Sequence, residues 1–200
     1  MEDLPIVTIT GIAGFVGSQV CLQFLQTGQY KVRGTVRDAK KPSKIDPLKK
    51  AFGELFNQLE LVEADLLDEA SLVKAVEGST YLVHTASPFS MNLKGDELIK
   101  PAVEGTLSAC RAAHKAGVKR VVITSSCVSI MEGHDLKKKS HFTAADWTIN
   151  EKADDYSKSK TMAEQAAWDF QKSLPESERF EIATVNPGLI FGPTLVTSWF

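Results

Sequence analysis

The stretch Ile6-Val7-Thr8-Ile9-Thr10-Gly11-Ile12-Ala13-Gly14-Phe15-Val16-Gly17 decides the fold, because it passes from strand to helix through one glycine-rich turn. Ile6 to Thr10 is β-branched throughout, as a buried strand favours. Beyond the turn, Val16, Val20, Cys21, Phe24 and Leu25 share one helical face until the turn residue Gly28. The same alternation runs through the chain. Strands are predicted over 6–10, 30–36, 59–63, 81–85, 119–125 and 180–186, and later helices over 45–56, 69–77, 96–116 and 155–173. Gly78 and Gly117 mark two helix stops. The last helix carries Ala163, Ala166, Ala167 and Phe170 on one stripe, and Val121-Val122-Ile123 is apolar on both faces, as a central parallel strand requires. Residues 127–154 read mostly as loop. Parallel strands need crossover connections of helical length, so the alternation predicts an α/β fold with a doubly wound parallel sheet and helices on both faces.

Gly11, Gly14 and Gly17 form a GxxGxxG turn in the first βα connection, where a Rossmann-type sheet holds a dinucleotide's pyrophosphate. The first glycine permits the tight turn, a side chain at the second would block the pyrophosphate, and the third lets helix and strand pack closely. Phe15 and Val16 open the helix, whose first amides and positive dipole end favour phosphate. A plain strand-to-helix turn shows the same glycines, but their place at the first βα junction favours the dinucleotide. The end of the second strand separates NADP from NAD, since an acid there binds the ribose 2′-hydroxyl and a base accommodates a 2′-phosphate. It reads Thr35-Val36-Arg37, making Arg37 the candidate for the phosphate with Lys44 in support. Lys40 and Lys41 are able to substitute, and Asp38, if it faces the ribose, is the competing choice. NADP(H) is the predicted cofactor. Asp65-Leu66 stands where the adenine would lie, unless Asp65 simply caps the next helix. Thr85, Ala86 and Ser87 end the fourth strand with small residues that admit the cofactor, and His84 before them reads as a structural histidine.

Tyr156 and Lys160 are four residues apart in Tyr156-Ser157-Lys158-Ser159-Lys160, which puts them one turn apart on one helical face. A phenol is a poor acid–base group at neutral pH, and a neighbouring ammonium lowers its pKa. The fifth strand ends Thr124-Ser125-Ser126-Cys127, placing hydroxyls at the carboxyl edge of the sheet, where ligands collect.

Taken in order, the glycine turn, Thr124-Ser125-Ser126, the Tyr156-to-Lys160 run continuing as Thr161-Met162-Ala163-Glu164, and Asn186-Pro187-Gly188 resemble the extended short-chain dehydrogenases/reductases over nearly the whole chain. Val36-Arg37-Asp38, His84-Thr85-Ala86-Ser87-Pro88, Pro101-Ala102-Val103-Glu104-Gly105-Thr106 and Ala163-Glu164-Gln165-Ala166-Ala167-Trp168 are similar to the dihydroflavonol reductase-like group within them. That group includes dihydroflavonol, anthocyanidin and cinnamoyl-CoA reductases and microbial aldehyde or ketone reductases. The resemblance implies hydride transfer from NADPH to an aldehyde or ketone. Ser126 would bind the carbonyl, Tyr156 deliver the proton, and Lys160 tune Tyr156 and grip the ribose, with Thr124, Pro187, Gly188 and Leu189 beside the cofactor. Ser126 is preferred to Ser125 because alternate strand residues face opposite sides and the family's active serine ends the run. The chain departs from the group at Cys127-Val128-Ser129, where smaller residues and a threonine are expected. The alternatives are a 3β-hydroxysteroid dehydrogenase-like or nucleotide-sugar dehydratase-like enzyme, and a non-catalytic NADP-binding module that lost its substrate domain.

Composition narrows the field. At 43% hydrophobic and 24% charged the chain builds an ordinary soluble core, and its net charge of −2, with only Lys137-Lys138-Lys139 as a basic run, nominates neither nucleic acid nor a membrane. Cys21, Cys110 and Cys127 lie in apolar patterns and are expected to be buried, reduced thiols of a cytoplasmic protein. No CxxC or HxxxH spacing suggests a metal. The acidic start, Met1 to Pro5, is unlike a signal peptide, and no apolar run is long enough to span a bilayer. The expected partner is a small carbonyl or alcohol substrate, and the resemblance makes the chain a monomer or a homodimer through its long helices. Residues 1–190 read as the NAD(P)-binding domain and 191–200 as the start of a substrate region that is largely missing. Leu195 to Phe200 then forms an apolar tail with nothing to cover it, as in a fragment or natural short form of a longer reductase. The loop over 131–150, with His134, His141 and Trp147, is expected on the substrate side.

Overall fold

In the computed structural model, which describes residues 4–87 and 93–196, all strands run parallel. The strands β1 (Ile6–Thr10), β2 (Lys31–Val36), β3 (Leu59–Glu63), β4 (Tyr81–His84), β5 (Arg120–Thr124) and β6 (Glu181–Val185) lie in the order β3-β2-β1-β4-β5-β6. Helices α1 (Phe15–Thr27), α2 (Pro42–Phe52), α3 (Glu69–Val76), α4 (Asp96–Lys115), α5 (Val128–Met131) and α6 (Asp155–Ser173) connect them. The chain walks outward from β1 to β3 and then returns to β4 on the other side of β1. The carboxyl ends of β1 and β4 therefore flank the switch point where doubly wound sheets bind ligands.

Each face of the sheet buries its own core. Val7 and Ile9 of β1 meet Cys21 and Leu25 of α1 and Ile45, Leu48 and Phe52 of α2 on one side. Leu82, Val121 and Ile123 meet Leu72 and Val76 of α3, Cys110 of α4 and Ala167 of α6 on the other. Burial pushes the Cys21 and Cys110 thiols up to about 12, so both stay unionised.

Several expectations shift for identifiable reasons. The helix expected over 45–56 begins at Pro42, whose fixed φ suits a first helical position, and Gly53 at φ +54° breaks it into a 3₁₀ segment over 53–58. Val122 is only half-buried, because the flank strand β6 leaves Ala183, its register partner, exposed on that face. Cys127 is half-buried rather than buried. The loop over 127–154 contains α5 and closes on itself through Thr148 N–H to Ser129 O (3.0 Å) and Ile149 N–H to Glu132 O (3.0 Å). The uncovered apolar tail is also corrected: Val196 is fully buried in the core beneath α1, and Gln19 Nε2 donates to Pro193 O at 3.1 Å. Residues 197–200 of that tail, and Pro88, lie outside the described residues.

Candidate active site

The glycine turn is held by backbone contacts. Gly11 takes φ +71°, and its N–H donates to Thr35 Oγ1 (3.2 Å) while Ile12 N–H donates to Thr35 O (3.2 Å), tying the turn to the end of β2. A Cβ on Gly17 would stand 2.3 Å from Gly11 O and 2.7 Å from Thr85 Oγ1, so no side chain fits there. Gly14 differs. A Cβ there would meet only Gly11 O, at 3.3 Å, a tight contact but far milder than that at Gly17. No side chain caps α1 and its first turn holds no acid, whereas Asp68 caps α3 and Asp154 caps α6. The amino end of α1, with Phe15, Val16 and Gly17, thus presents backbone donors without a competing carboxylate.

At the end of β2, Arg37 is exposed and Lys44 half-buried. Asp38, the competing choice, is engaged in its own turn, its Oδ1 accepting from Lys40 N–H at 2.8 Å. Asp65 does not cap α3; Asp68 does, accepting from the Ala70 and Ser71 amides, while Asp65 Oδ1 accepts from Leu67 N–H at 2.9 Å. Leu66 packs against Gly105 of α4.

His84 is anchored through Nδ1. Thr10 Oγ1 accepts from the amides of Thr85 and Ala86, both at 3.1 Å, which leaves its only proton for His84 Nδ1 at 3.0 Å. The imidazole is therefore the neutral Nε2–H tautomer, and burial together with the Lys160 charge pushes its pKa down to about 4. This knot, with Thr85 Oγ1 also donating to Thr10 O, braces the carboxyl ends of β1 and β4. The part played by Thr10 was not legible, because nothing in a strand of alternating threonines tells which hydroxyl is buried against a histidine 74 residues away.

Ser126, just past the end of β5, holds the Tyr156 phenol of α6 down in pKa, and Ser125 is hydrogen-bonded elsewhere, to Glu164. Tyr156 is 36% exposed, whereas Ser126 is buried. Burial raises its pKa above the ordinary phenol value, opposed by the Ser126 bond and reinforced by Cys127 and Asp154. Lys160 exerts no resolved pull on Tyr156, which corrects the expectation of a lowered phenol. The ammonium is instead turned inward beside His84, where burial lowers its own pKa. Lys160 lines a cavity of about 20 Å³ with His84, Ser87, Thr124, Ser125 and Glu164, room for about one water. On the far side, Cys127 N–H donates to Pro187 O at 2.9 Å, and beyond it Gly188, Leu189, Ile190 and Phe191 are exposed. His134 is held in its loop by Trp147 O at 2.8 Å, and Ser140 contacts His141 at 2.9 Å. Among the described residues no cluster is arranged to hold a metal, and no helix is long and apolar enough to cross a membrane.

A 3-2-1-4-5-6 parallel sheet carrying a glycine turn on one side of its switch point and a Ser–Tyr–Lys group on the other defines a Rossmann-type protein of the extended short-chain dehydrogenase/reductase class. The chain belongs to the NAD dependent epimerase/dehydratase family, whose model matches residues 7–198. It is 36% identical over 200 residues to cinnamoyl-CoA reductase CAD2 of Medicago truncatula, covering 95% of this chain and 59% of that protein. It is also 36% identical over 209 residues to dihydroflavonol 4-reductase of Gerbera hybrida, covering 100% of this chain and 55% of the relative. Among solved structures, yeast methylglyoxal/isovaleraldehyde reductase Gre2 complexed with NADPH superposes with a TM-score of 0.79 at 29% identity, over 94% of this chain and 59% of that one. The chain thus spans a little over half the length of these relatives.

Proposed function

We propose that this chain carries the cofactor-binding and proton-donating half of an NADPH-dependent reductase of aldehydes or ketones. The observation that carries the reading is the convergence at the switch-point edge of Ser126, which follows β5, with Tyr156 and Lys160 one helical turn apart on α6, Lys160 lining the cavity beside His84. Similarity to reductases of cinnamoyl-CoA, dihydroflavonols and methylglyoxal supports it.

The residues fit a dinucleotide. The uncapped α1 terminus and Gly14 would receive the pyrophosphate together with Gly11, Phe15, Val16 and Gly17. Arg37 and Lys44 would hold the 2′-phosphate, and Asp65 and Leu66 would border the adenine. Thr85, Ala86, Ser87, Thr124, Pro187, Gly188 and Leu189 would line the nicotinamide side, with Lys160 on its ribose. When bound, NADPH supplies the hydride. Ser126 orients the carbonyl oxygen through its hydroxyl, and Tyr156 donates the proton that neutralises the developing alkoxide. The raised phenol pKa suits that task, because it keeps the proton on Tyr156 through neutral pH.

The test is oxidation of NADPH with a panel of aldehydes and ketones, which Tyr156→Phe should abolish. Turnover should stay level through neutral pH and decline only above the ordinary tyrosine value of about 10. Activity surviving in Tyr156→Phe would remove it as proton donor. NADPH binding without turnover of any carbonyl would favour a binding module instead.

A further inference from the structure

Glu164 lies on α6 one turn beyond Lys160 and is only 6% exposed. A single oxygen, Oε2, collects three donors: Ser125 Oγ, Ser129 Oγ at 2.7 Å and Asn186 Nδ2 at 2.8 Å. These come from the end of β5, from α5 and from the segment leaving β6. Two of the three also grip Ser126. Ser129 Oγ reaches Ser126 O at 2.7 Å and Asn186 Nδ2 reaches it at 3.2 Å, while Asn186 Nδ2 also lies 2.9 Å from Ser129 Oγ. Ser125 and Ser129 offer one hydrogen each and Asn186 two; the one Ser129 hydrogen is shared between Glu164 Oε2 and Ser126 O, and a carboxylate oxygen accepts from all three groups without needing a donor's role in return.

We propose that Glu164 is a positioning residue, whose carboxylate gathers Ser129 and Asn186 so that Ser126 is held in line with Tyr156 and Lys160. The proposal rests on the reading of those three residues as the reaction centre. Nothing in the chemistry requires Glu164 to touch the substrate. Its effect passes through the Ser126 backbone, whose carbonyl Ser129 and Asn186 hold, so that the hydroxyl is kept from rotating away from Tyr156. A carboxylate that merely satisfied its own burial would show a different pattern, weakening the fold and the cofactor site together.

Glu164→Gln separates the two, since it keeps the volume and removes the charged acceptor. The first readout is the alkaline titration of Tyr156 followed by tyrosinate absorbance, its step identified by its loss in Tyr156→Phe. Because the Ser126 bond holds the phenol down, Glu164→Gln should move that step upward, Ser126→Ala should do the same, and the double variant should move it no further than Ser126→Ala alone. NADPH affinity should stay within about twofold, while carbonyl turnover falls about tenfold or more. If Glu164→Gln does not fold, Ser129→Ala, which removes one of the two links between Glu164 and Ser126 O and leaves that through Asn186, must move the titration in the same direction. An unmoved Tyr156 step in the folded variant, additive shifts in the double variant, or a parallel loss of NADPH affinity overturns the proposal. A parent chain that turns over no carbonyl would sink the reductase reading, while the titration would still decide the role of Glu164.

Discussion

The two ends of the candidate site are built by different means. The glycine turn is local: seven residues, 11–17, whose backbone N–H groups bond the carbonyl and hydroxyl of Thr35, with steric contacts that tolerate no side chain at Gly17. The Ser126 end draws on β5, α5, α6 and the segment after β6, and side-chain hydrogen bonds hold it together. Its rim is open, with Leu189 87% and Phe191 85% exposed. A phosphate site made of backbone needs little from the rest of the chain, whereas a proton-transfer site must import its groups from distant segments and fix each of them.

Tyr156→Phe gives the largest effect and falls on one end alone. Turnover should drop at least about a hundredfold, with NADPH affinity and thermal midpoint unchanged, since only a partly exposed hydroxyl is removed. A loss of cofactor affinity in that variant would show that the two ends are not separable.

The pH response of folding should also trace to the switch-point edge. Unfolded histidine titrates near 6.5 and His84 in the fold at about 4, so between those values the unfolded chain binds more protons. Stability should therefore fall as pH drops from about 6.5 to about 4, by up to about 3 kcal/mol, and His84 should add no dependence above that window. Urea unfolding at pH 7 and pH 5 measures this, and His84→Asn, which preserves an acceptor for Thr10, should flatten the slope.

At the other end, Gly17→Ala should destabilise the fold by about 2 kcal/mol, because its Cβ meets backbone that cannot move aside. The thermal midpoint should fall by about 4–8 °C and NADPH binding should disappear with it. An unchanged midpoint would mean that the turn is looser than its contacts indicate.

The same contrast explains what could be read from residues alone. The β-branched run before Gly11, the helical stripe through Cys21 and Leu25, and the apolar β5 announce themselves within short windows, and the six strands follow to within a residue or so at their ends. Tyr156 and Lys160 were visible by their spacing, which puts them one turn apart on α6. The direction of Tyr156's shift was not visible, because spacing puts Lys160 on the right face but does not say that its ammonium turns inward to His84. Glu164 was equally hidden. It lies one turn past Lys160 in the same helix, yet its partners Ser125, Ser129 and Asn186 are between 22 and 39 residues away, and only folding brings them together. The cap of α3 went to Asp68 rather than Asp65 for a similar reason, since both precede the helix and only backbone geometry selects between them.

The smallest expected effect bears most directly on the central reading, that this chain is built to bind NADPH through the glycine turn and Arg37. Fluorescence titration of the chain and of Arg37→Ala with NADPH and NADH decides it. NADPH should bind more tightly than NADH by about tenfold or more, and Arg37→Ala should remove most of that difference while leaving NADH affinity nearly unchanged. Equal affinities in the parent chain, or a preference that survives Arg37→Ala intact, would contradict it.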